Sequence, residues 1–301
     1  MRIAITGSTG LIGSYLAGHF RSQHHEVIEI SRRETKSGGS KPVVLWDPAR
    51  GKIESSQLED CDVFIHLAGA SIAARWSPEY KKILKSSRVD STLLIAETIS
   101  KLKKRPKVLI SASAIGYYGS RPTDEQVTED SFGADDFLGN LCKDWEKETR
   151  PAESAGVRVV HLRTGIVLAR QGGALAQMLP IFNVGMGGVL GHGRQMMSWV
   201  ALSEIPYIVE HIIRTPQLSG GVNMTAPKPV SNKEFTHILG NVIKRPIIFP
   251  VPAFAVSTLF GEMGRTLLLE GAAVYPKKLL SSGYKFRYDD LQLALTAELK
   301  A

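Results

Sequence analysis

The glycines of TGSTGLIG, residues 6–13, carry the clearest chemical signal in this sequence. They follow a β-branched run typical of a strand and open an apolar run with helical spacing. Gly7 permits a tight turn, Gly10 lets the backbone approach a pyrophosphate, and Gly13 lets the helix pack against the strand. The start of the helix also offers free N–H groups and a positive dipole to phosphates. The predicted dinucleotide contacts in this turn are Gly7, Thr9, Gly10, Leu11, Ile12 and Gly13.

The end of the second predicted strand indicates which dinucleotide would bind. Folds that bind NAD place an acidic residue there, about 20 residues after the glycine turn. This sequence has Ser31, Arg32 and Arg33 instead. The guanidinium of Arg32 suits a 2′-phosphate and the face of an adenine ring, and Ser31 adds a hydrogen bond. The sequence therefore favours NADP(H), with two exposed arginines at a strand end as the alternative interpretation.

Alternating strands and helices must position these residues. The predicted strands cover 2–6, 26–31, 42–46, 62–69, 107–113 and 158–168, and the predicted helices cover 11–23, 78–102 and 138–155. Continuous apolar strands between helices are typical of a parallel sheet covered on both faces. We therefore expect an α/β fold with a Rossmann-type doubly wound parallel sheet.

The second half of the chain is less regular and predicts a smaller α+β substrate domain. We expect residues 1–168 to form the cofactor-binding domain and residues 169–301 to form most of the substrate domain. Return strands are expected near 195–227. In particular, the segments near 159–163 and 221–225 should both join the first sheet, so the domain boundary is not a single cut.

The composition argues against several classes of protein. A hydrophobic content of 43% suits a folded core, and no apolar run reaches the roughly 18 residues of a membrane span. The strand pattern from Arg2 onward leaves no room for a signal peptide. Cys61 and Cys142 have no metal-ligand partner at useful spacing, so we expect no metal and a reduced, cytoplasmic chain. The formal charge is +8, but the basic stretch 101–107 lacks interleaved aromatics, so nucleic-acid binding is not expected.

Longer motifs resemble a known family. HLAGA at 66–70 and SASAIGYYG at 111–119 resemble extended short-chain dehydrogenase/reductases of the sugar-nucleotide epimerase-like branch. RTGIVLARQGGAL at 163–175 and GMGGVLGHGRQMMSW at 185–199 are similar to the group named epimerase family proteins, whose pattern runs along the whole chain. The resemblance implies a Rossmann domain, a small C-terminal substrate domain and bound NADP(H). The substrate of that group is generally unassigned.

The resemblance also implies further cofactor contacts. Leu67, Ala68 and Gly69, at the end of the fourth strand, should pass beside the adenosine and pyrophosphate. Arg88 would bind a phosphate, with a solvated helix arginine as the alternative. Arg163 ends an apolar strand at the sheet edge where α/β folds bind ligands, and its burial there would require an anion.

The catalytic residues are implied in the same way. In related reductases and epimerases, a tyrosine exchanges a proton with the substrate oxygen, a lysine lowers the pKa of that tyrosine, and a Ser or Thr hydroxyl orients the oxygen. Ser113 matches the hydroxyl position and Lys143 matches the lysine. The tyrosine position then falls on Gly139, which has no side chain to donate a proton.

Three alternatives remain for the group that would exchange the proton in place of a tyrosine at position 139. Tyr117 or Tyr118, with Tyr118 as the named candidate, would supply a phenol from another direction, unless one packs against the sheet edge. Asp135 or Asp136 would supply a carboxyl group, although both suit a helix N-cap. In the third alternative there is no acid or base, and the chain is a catalytically weak or inactive NADP(H)-sensing regulatory or scaffold protein.

The segment GHGRQMMSW, residues 191–199, predicts substrate contacts. Arg194 suits a carboxylate or phosphate, and Gln195 and Trp199 add polar and aromatic surface, unless the cluster only joins the two domains. His66, on an apolar strand, is expected to be a core histidine. The favoured function is an NADP(H)-dependent oxidoreductase or epimerase-like enzyme acting on a small carbonyl or sugar-like substrate. We expect a monomer or homodimer without a membrane partner.

Overall fold

The computed structural model describes residues 1–33 and 43–300. Its strands are β1 Arg2–Thr6, β2 Glu26–Ser31, β3 Val43–Asp47, β4 Lys52–Ile53, β5 Val63–His66, β6 Val108–Ala114, β7 Gln126–Val127, β8 Arg158–Thr164, β9 Ile166–Leu168, β10 Met196–Met197, β11 Trp199–Ala201, β12 Gly220–Met224, β13 Val230–Ser231 and β14 Ala273–Val274. Its helices are α1 Leu11–Ser22, α2 Pro78–Lys101, α3 Phe137–Lys147, α4 Arg150–Ser154, α5 Gly173–Asn183, α6 Ile205–Arg214, α7 Asn232–Val242, α8 Ala253–Gly264, α9 Lys277–Ser281 and α10 Leu291–Lys300.

A large sheet forms the centre of the described chain. Its eight strands run in the order β12-β8-β6-β5-β1-β2-β3-β4, and every pair is parallel except the short β3–β4 pair. The chain leaves β1 in one direction towards β2 and later returns to add β5 on its other side. This reversal of strand order beside β1 is the topological switch point at which α/β folds bind ligands. The predicted α/β class and Rossmann-type parallel sheet are confirmed.

Helices cover both faces of this sheet because each has an apolar side. On α1, Leu16, Ala17 and Phe20 are buried against one face. On α2, Ile95 and Ile99 are buried against the other. No helix of the described residues combines the length and the apolar character needed to cross a membrane.

Two predicted elements are interrupted in the structure. The helix predicted over 138–155 is two helices, α3 and α4, because Pro151 has no N–H to continue the ladder and its ring clashes with the preceding turn. The strand predicted over 158–168 breaks at Gly165, where a Cβ would lie 2.6 Å from the carbonyl oxygen of Ser198. After this close approach, β9 leaves the large sheet and pairs with β11.

The second half of the chain contributes both to the large sheet and to a separate apolar cluster. β12 pairs in parallel with β8 at the edge of the large sheet. Buried residues of α5, α7 and α10 form a distinct core around Trp199. The division at residues 168 and 169 stays a prediction. The predicted strand at 42–46 corresponds to β3, and its first residue, Pro42, lies outside the described residues.

Candidate functional site

The glycine turn between β1 and α1 has the close packing that its sequence predicts. Gly7 has a φ of 69°, and a Cβ there would lie 2.9 Å from the backbone of Leu67. A Cβ on Gly13 would lie only 2.2 Å from the carbonyl oxygen of Gly7. Thr9 and Gly10 are exposed, and Gly10 caps α1 without any side-chain hydrogen bond to the helix. The first N–H groups of α1 therefore stand beside an exposed backbone surface that a phosphate can approach.

Thr6 links this turn to the end of β5. Its Oγ1 accepts hydrogen bonds from the backbone N–H of Leu67 at 3.0 Å and of Ala68 at 3.2 Å. Oγ1 also lies 2.7 Å from Nδ1 of His66, whose ring is fully buried. Burial lowers the pKa of His66 to about 3. His66 is thus a neutral core residue that fixes the segment predicted to pass beside the cofactor.

Arg88 reaches this edge from α2. Its Nη2 donates to the carbonyl oxygen of Ala70 at 3.0 Å, and its Nη1 donates to that of Leu84 at 3.2 Å. A Cβ on Gly69 would lie 3.5 Å from Cζ of Arg88. Burial lowers the pKa of Arg88, and within the described ranges no carboxylate compensates its charge. Its other contacts, with Oγ of Ser87 and the ring of Trp145, are also uncharged, and a desolvated cation held by neutral groups suits an incoming anion.

Ser31 and Arg32 lie at the end of β2, at the same edge of the sheet. Ser31 is half-buried and accepts a hydrogen bond from the backbone N–H of Arg33 at 3.3 Å. Arg32 is exposed and lines a cavity of about 790 Å³ with Trp46 and Thr98. The other walls of this cavity come from β3, β4 and α2, not from the glycine turn.

Ser113 belongs to a buried polar network that joins β6, β8 and α3. Its Oγ donates to Oε1 of Glu146 at 2.7 Å, and Glu146 also accepts from Nε and Nη2 of Arg163, each at 2.8 Å. Burial raises the pKa of the Glu146 carboxyl. The hydrogen bonds from Arg163 and the charges of His161 and Arg163 outweigh that effect and hold its pKa below its usual value. Glu146 is therefore an ionised carboxylate that accepts the hydrogen bond of Ser113.

The structure revises the role predicted for Arg163. The sequence requires an anion beside this buried guanidinium, and the anion is the protein's own Glu146. The remaining Nη1 donates to the hydroxyl of Tyr118 at 2.9 Å. Arg163 is only 6% exposed. Its guanidinium is thus committed inside the protein and is not presented to a cofactor phosphate.

Tyr118 is also placed differently from the prediction. It is fully buried, and its hydroxyl donates to Oδ1 of Asn223 at 2.7 Å while accepting from Arg163. Burial raises the pKa of Tyr118 to about 12. A phenol with no exposed surface and two internal partners has no path to a substrate oxygen, so we do not assign proton transfer to it.

Tyr117 and Lys143 lie closer to the open side of the network. The Tyr117 ring is half-buried and stacks on Arg163, with the guanidinium carbon 3.5 Å from the ring centroid. A Cβ on Gly133 would lie 2.8 Å from both Cζ of Tyr117 and Cε of Lys143, so these two side chains are neighbours. The Nζ of Lys143 donates to Oδ1 of Asp135 at 2.6 Å.

Packing at the start of α3 explains the glycine at position 139. A Cβ there would lie 2.3 Å from the carbonyl oxygen of Ala134. The backbone N–H of Gly139 donates to Oδ1 of Asp136, which is therefore the N-cap of α3, as the alternative interpretation of that residue predicts. The loop that precedes α3 thus fills the space that a tyrosine at 139 would need.

The predicted substrate contacts fall into two groups. Arg194 is exposed and shows no ion pair with any described residue. Gln195 is buried, and its Nε2 donates to the carbonyl oxygens of Leu190 and Leu268. Trp199 is fully buried, and its Nε1 donates to the carbonyl oxygen of Lys228 at 3.1 Å. We therefore assign Trp199 and Gln195 to the interior, and Arg194 alone stays a candidate for binding substrate.

Glu146 and Asn223 are network residues that the sequence did not single out. Glu146 lies seven residues after Gly139 and four after the buried Cys142, which places it on the helix face that packs on the sheet. A charged residue on a predicted apolar face was the signal available for Glu146. No comparable signal marks Asn223. Within residues 1–33 and 43–300, no group of three His, Cys, Asp or Glu side chains is arranged to hold a metal ion.

A parallel sheet with a glycine turn after its first strand, and with a serine and an arginine ending its second, defines a Rossmann-type α/β protein. The chain belongs to the NAD dependent epimerase/dehydratase family, whose model matches residues 3–136, and a domain of unknown function (DUF1731) matches residues 251–298. The chain is 40% identical to Epimerase family protein MT2273 of Mycobacterium tuberculosis, covering 97% of this chain and 96% of that protein. It is 35% identical to human Epimerase family protein SDR39U1, covering 98% of each.

A solved structure agrees with these sequence relatives. The crystal structure of human epimerase family protein SDR39U1 (isoform2) with NADPH superposes with a TM-score of 0.90. The two chains are 31% identical in that comparison, which covers 100% of this chain and 99% of the human one. The similarity includes the C-terminal region as well as the large sheet. The family resemblance that the motifs indicate is confirmed.

Proposed function

We propose that this protein binds NADP(H) and acts as an oxidoreductase or epimerase-like enzyme on a small carbonyl or sugar-like substrate. The observation that carries the proposal is the glycine turn, where Gly7 and Gly13 leave no space for a Cβ and Gly10 leaves the start of α1 open. The family assignment supports the same cofactor class, and a human relative has been crystallised with NADPH.

The cations around the turn support a phosphate-rich ligand. Arg88 is desolvated, lies beside Gly69 and has no carboxylate partner in the described chain. Arg32 stands exposed at the end of β2, where an acidic residue would favour NAD instead. Together they provide one guanidinium for the pyrophosphate region and another for a 2′-phosphate.

The polar network supports a role for Ser113 at the substrate. A bound NADP(H) would supply or accept the hydride. Because the only proton of the Ser113 hydroxyl points to Glu146, its oxygen is left to accept a hydrogen bond. Ser113 therefore suits a substrate hydroxyl, which donates, and because Ser113 is only 4% exposed this contact requires the side chains that cover it to move. Tyr117 is the phenol beside this network that keeps partial exposure, and Lys143 is its neighbour, so we place proton exchange at the Tyr117 hydroxyl.

Cofactor binding is tested by titrating the full chain with NADPH and with NADH, using nicotinamide fluorescence. We expect NADPH to bind at least about tenfold more tightly, and Arg32→Ser to reduce that preference. Gly13→Ala should abolish binding, because its Cβ would collide with the carbonyl oxygen of Gly7. Gly18→Ala, on the same helix and with no atom within 4 Å of its Cβ, should leave binding unchanged.

The result decides between separate parts of the proposal. Equal affinity for the two cofactors overturns the NADP(H) assignment, and absence of binding to either overturns the function as a whole. Catalysis is tested with panels of carbonyl compounds and sugar nucleotides. Ser113→Ala and Tyr117→Phe should reduce turnover while leaving NADPH affinity unchanged. If both variants turn over substrate at the wild-type rate, Ser113 and Tyr117 are not part of the catalytic site.

A further inference from the structure

Two segments in the second half of the chain hold most of its exposed large apolar side chains. Ile181 lies in the last turn of α5, Val184 and Met186 follow that helix, and Ile248, Phe249, Phe254, Leu259 and Phe260 lie before and along α8. Phe254 is 74% exposed and Val184 is 70% exposed. We call these eight residues the apolar surface. Single exposed apolar residues are ordinary, but a cluster of this size indicates a contact with something else.

The backbone holds the two segments together. The N–H of Val251 donates to the carbonyl oxygen of Val189, and the N–H of Gly191 donates to that of Val251, each at 2.8 Å. A Cβ on Gly188 would collide with the carbonyl oxygen of Phe249. Residues 188–191 therefore lie directly against residues 249–251, which brings the two apolar segments side by side.

The helix α8 has only three polar side chains, Ser257, Thr258 and Glu262, to balance this surface. Its inner residues Val256 and Met263 are buried, but Phe254 and Leu259 point away from them and are exposed. A helix with so large a share of apolar side chains is normally covered over most of its surface. In the described chain, the outer side of α8 is open.

The unpaired charges in the two apolar segments are basic, because the one acidic residue of α8, Glu262, is ion-paired with Lys81 at 2.7 Å. No Asp or Glu occurs between Glu153 and Glu204, or between Glu234 and Glu262, and both apolar segments lie inside these intervals. The same intervals contain Arg194, Lys244 and Arg245, which are exposed. The surface is therefore apolar with a basic margin.

We propose that the apolar surface docks on an anionic lipid surface, as a peripheral contact. The aromatic and aliphatic side chains would enter the boundary between head groups and acyl chains, while Lys244 and Arg245 would face the lipid phosphates. A second copy of this chain fits less well, because a two-fold contact repeats the same surface and would bring like charges together. The contact needs no spanning helix.

The test is sedimentation of the full chain with vesicles of phosphatidylcholine alone or with about 30% phosphatidylglycerol. We expect stronger binding to the anionic vesicles, and we expect this binding to weaken with added salt. The pair Phe249→Ser and Phe254→Ser should lower binding at least fivefold. Phe132→Ser removes a side chain that is 89% exposed elsewhere and should change nothing.

A charge reversal tests the basic margin separately. Lys244→Glu with Arg245→Glu should remove the preference for anionic vesicles, whereas Lys82→Glu with Lys103→Glu, an equal change of net charge at other exposed positions, should keep it. Thermal unfolding checks that each variant is folded. Failure to bind either vesicle overturns the proposal. So does a homodimer, seen by analytical ultracentrifugation, that Phe254→Ser dissociates. Neither outcome affects the proposed binding of NADP(H).

Discussion

The hydroxyl of Ser113 donates a 2.7 Å hydrogen bond to Oε1 of Glu146, and the same carboxylate holds Arg163 through two further hydrogen bonds. A single glutamate on α3 thus sets the direction of the serine hydroxyl on β6 and neutralises the arginine on β8. Among buried groups, such a network is strong while it is complete and costly when one partner is lost.

Replacing Glu146 tests the ion pair. Glu146→Gln keeps the shape of the side chain but leaves the buried guanidinium of Arg163 without a counter-charge. We expect a loss of about 3 to 5 kcal/mol in the free energy of unfolding, measured with urea. The matched change Glu153→Gln, at an exposed glutamate, should lie within about 0.5 kcal/mol of the wild type. Similar urea midpoints for Glu146→Gln and Glu153→Gln would show that the ion pair between Glu146 and Arg163 adds no stability.

The same carboxylate contributes to stability at acid pH. The pKa of Glu146 is lower in the folded chain than in the unfolded chain. The stability it provides is therefore present above its unfolded pKa and lost as the pH falls through its folded pKa. Urea unfolding from pH 6 to pH 3 should show a steeper decline for the wild type than for Glu146→Gln. Parallel curves would contradict the pKa shift.

His66 lowers the free energy of unfolding as the pH falls from 7 to 5, a higher range than that of Glu146. Its folded pKa of about 3 lies below that of a free imidazole, so the unfolded chain takes up a proton below about pH 6.5 and the folded chain does not. Linkage then predicts a loss of about 2 kcal/mol between pH 7 and pH 5. Comparison with His66→Asn isolates this effect. NMR should show no titration of the His66 ring above pH 5, and a midpoint near 6.5 would refute the prediction.

Placing a tyrosine at position 139 should not create a catalytic phenol. The carbonyl oxygen of Ala134 lies 2.3 Å from the position of a Cβ, so both Gly139→Ala and Gly139→Tyr must displace the loop before α3. We expect a destabilisation of about 1 to 3 kcal/mol from the alanine and more from the tyrosine. Asn140→Ala, at the exposed neighbouring residue, should have a much smaller effect in the same thermal unfolding assay. A stable Gly139→Tyr variant would mean that the loop moves freely.

Removing the charge of Arg88 should weaken cofactor binding without weakening the fold. The guanidinium is desolvated and has no carboxylate partner among the residues described, so Arg88→Gln relieves a cost in the free protein. NADPH should bind about tenfold less tightly, by titration calorimetry, because a charge-assisted contact is lost. Arg105→Gln, at an exposed arginine, is the control. Unchanged affinity in Arg88→Gln would exclude Arg88 from the phosphate site.

Local sequence was enough to predict the nucleotide side of this protein. The glycine turn depends on backbone space and helix start, and both are encoded within the eight residues 6–13. The strands of a buried parallel sheet are likewise visible as continuous apolar runs. The cofactor preference was read from Ser31 and Arg32 because the end of β2 lies a fixed distance along the chain from the turn.

The polar network was not predictable in the same way. Ser113, Glu146 and Arg163 come from three elements that only the register of β6 with β8, and the packing of α3, bring together. Tyr117 and Tyr118 are adjacent in sequence, yet one is half-buried and the other fully buried. The direction of a side chain across such contacts depends on tertiary packing, which a local pattern does not contain.

The sequence by itself therefore determined the α/β fold, the glycine turn and the basic end of β2, because each depends on neighbours along the chain. Only the tertiary structure decided which charge compensates Arg163, why a glycine stands at position 139, and which tyrosine keeps an exposed edge. The physical reason is that burial and ion pairing act between residues far apart in sequence. Their energies depend on the distances and the exclusion of water that the completed fold creates.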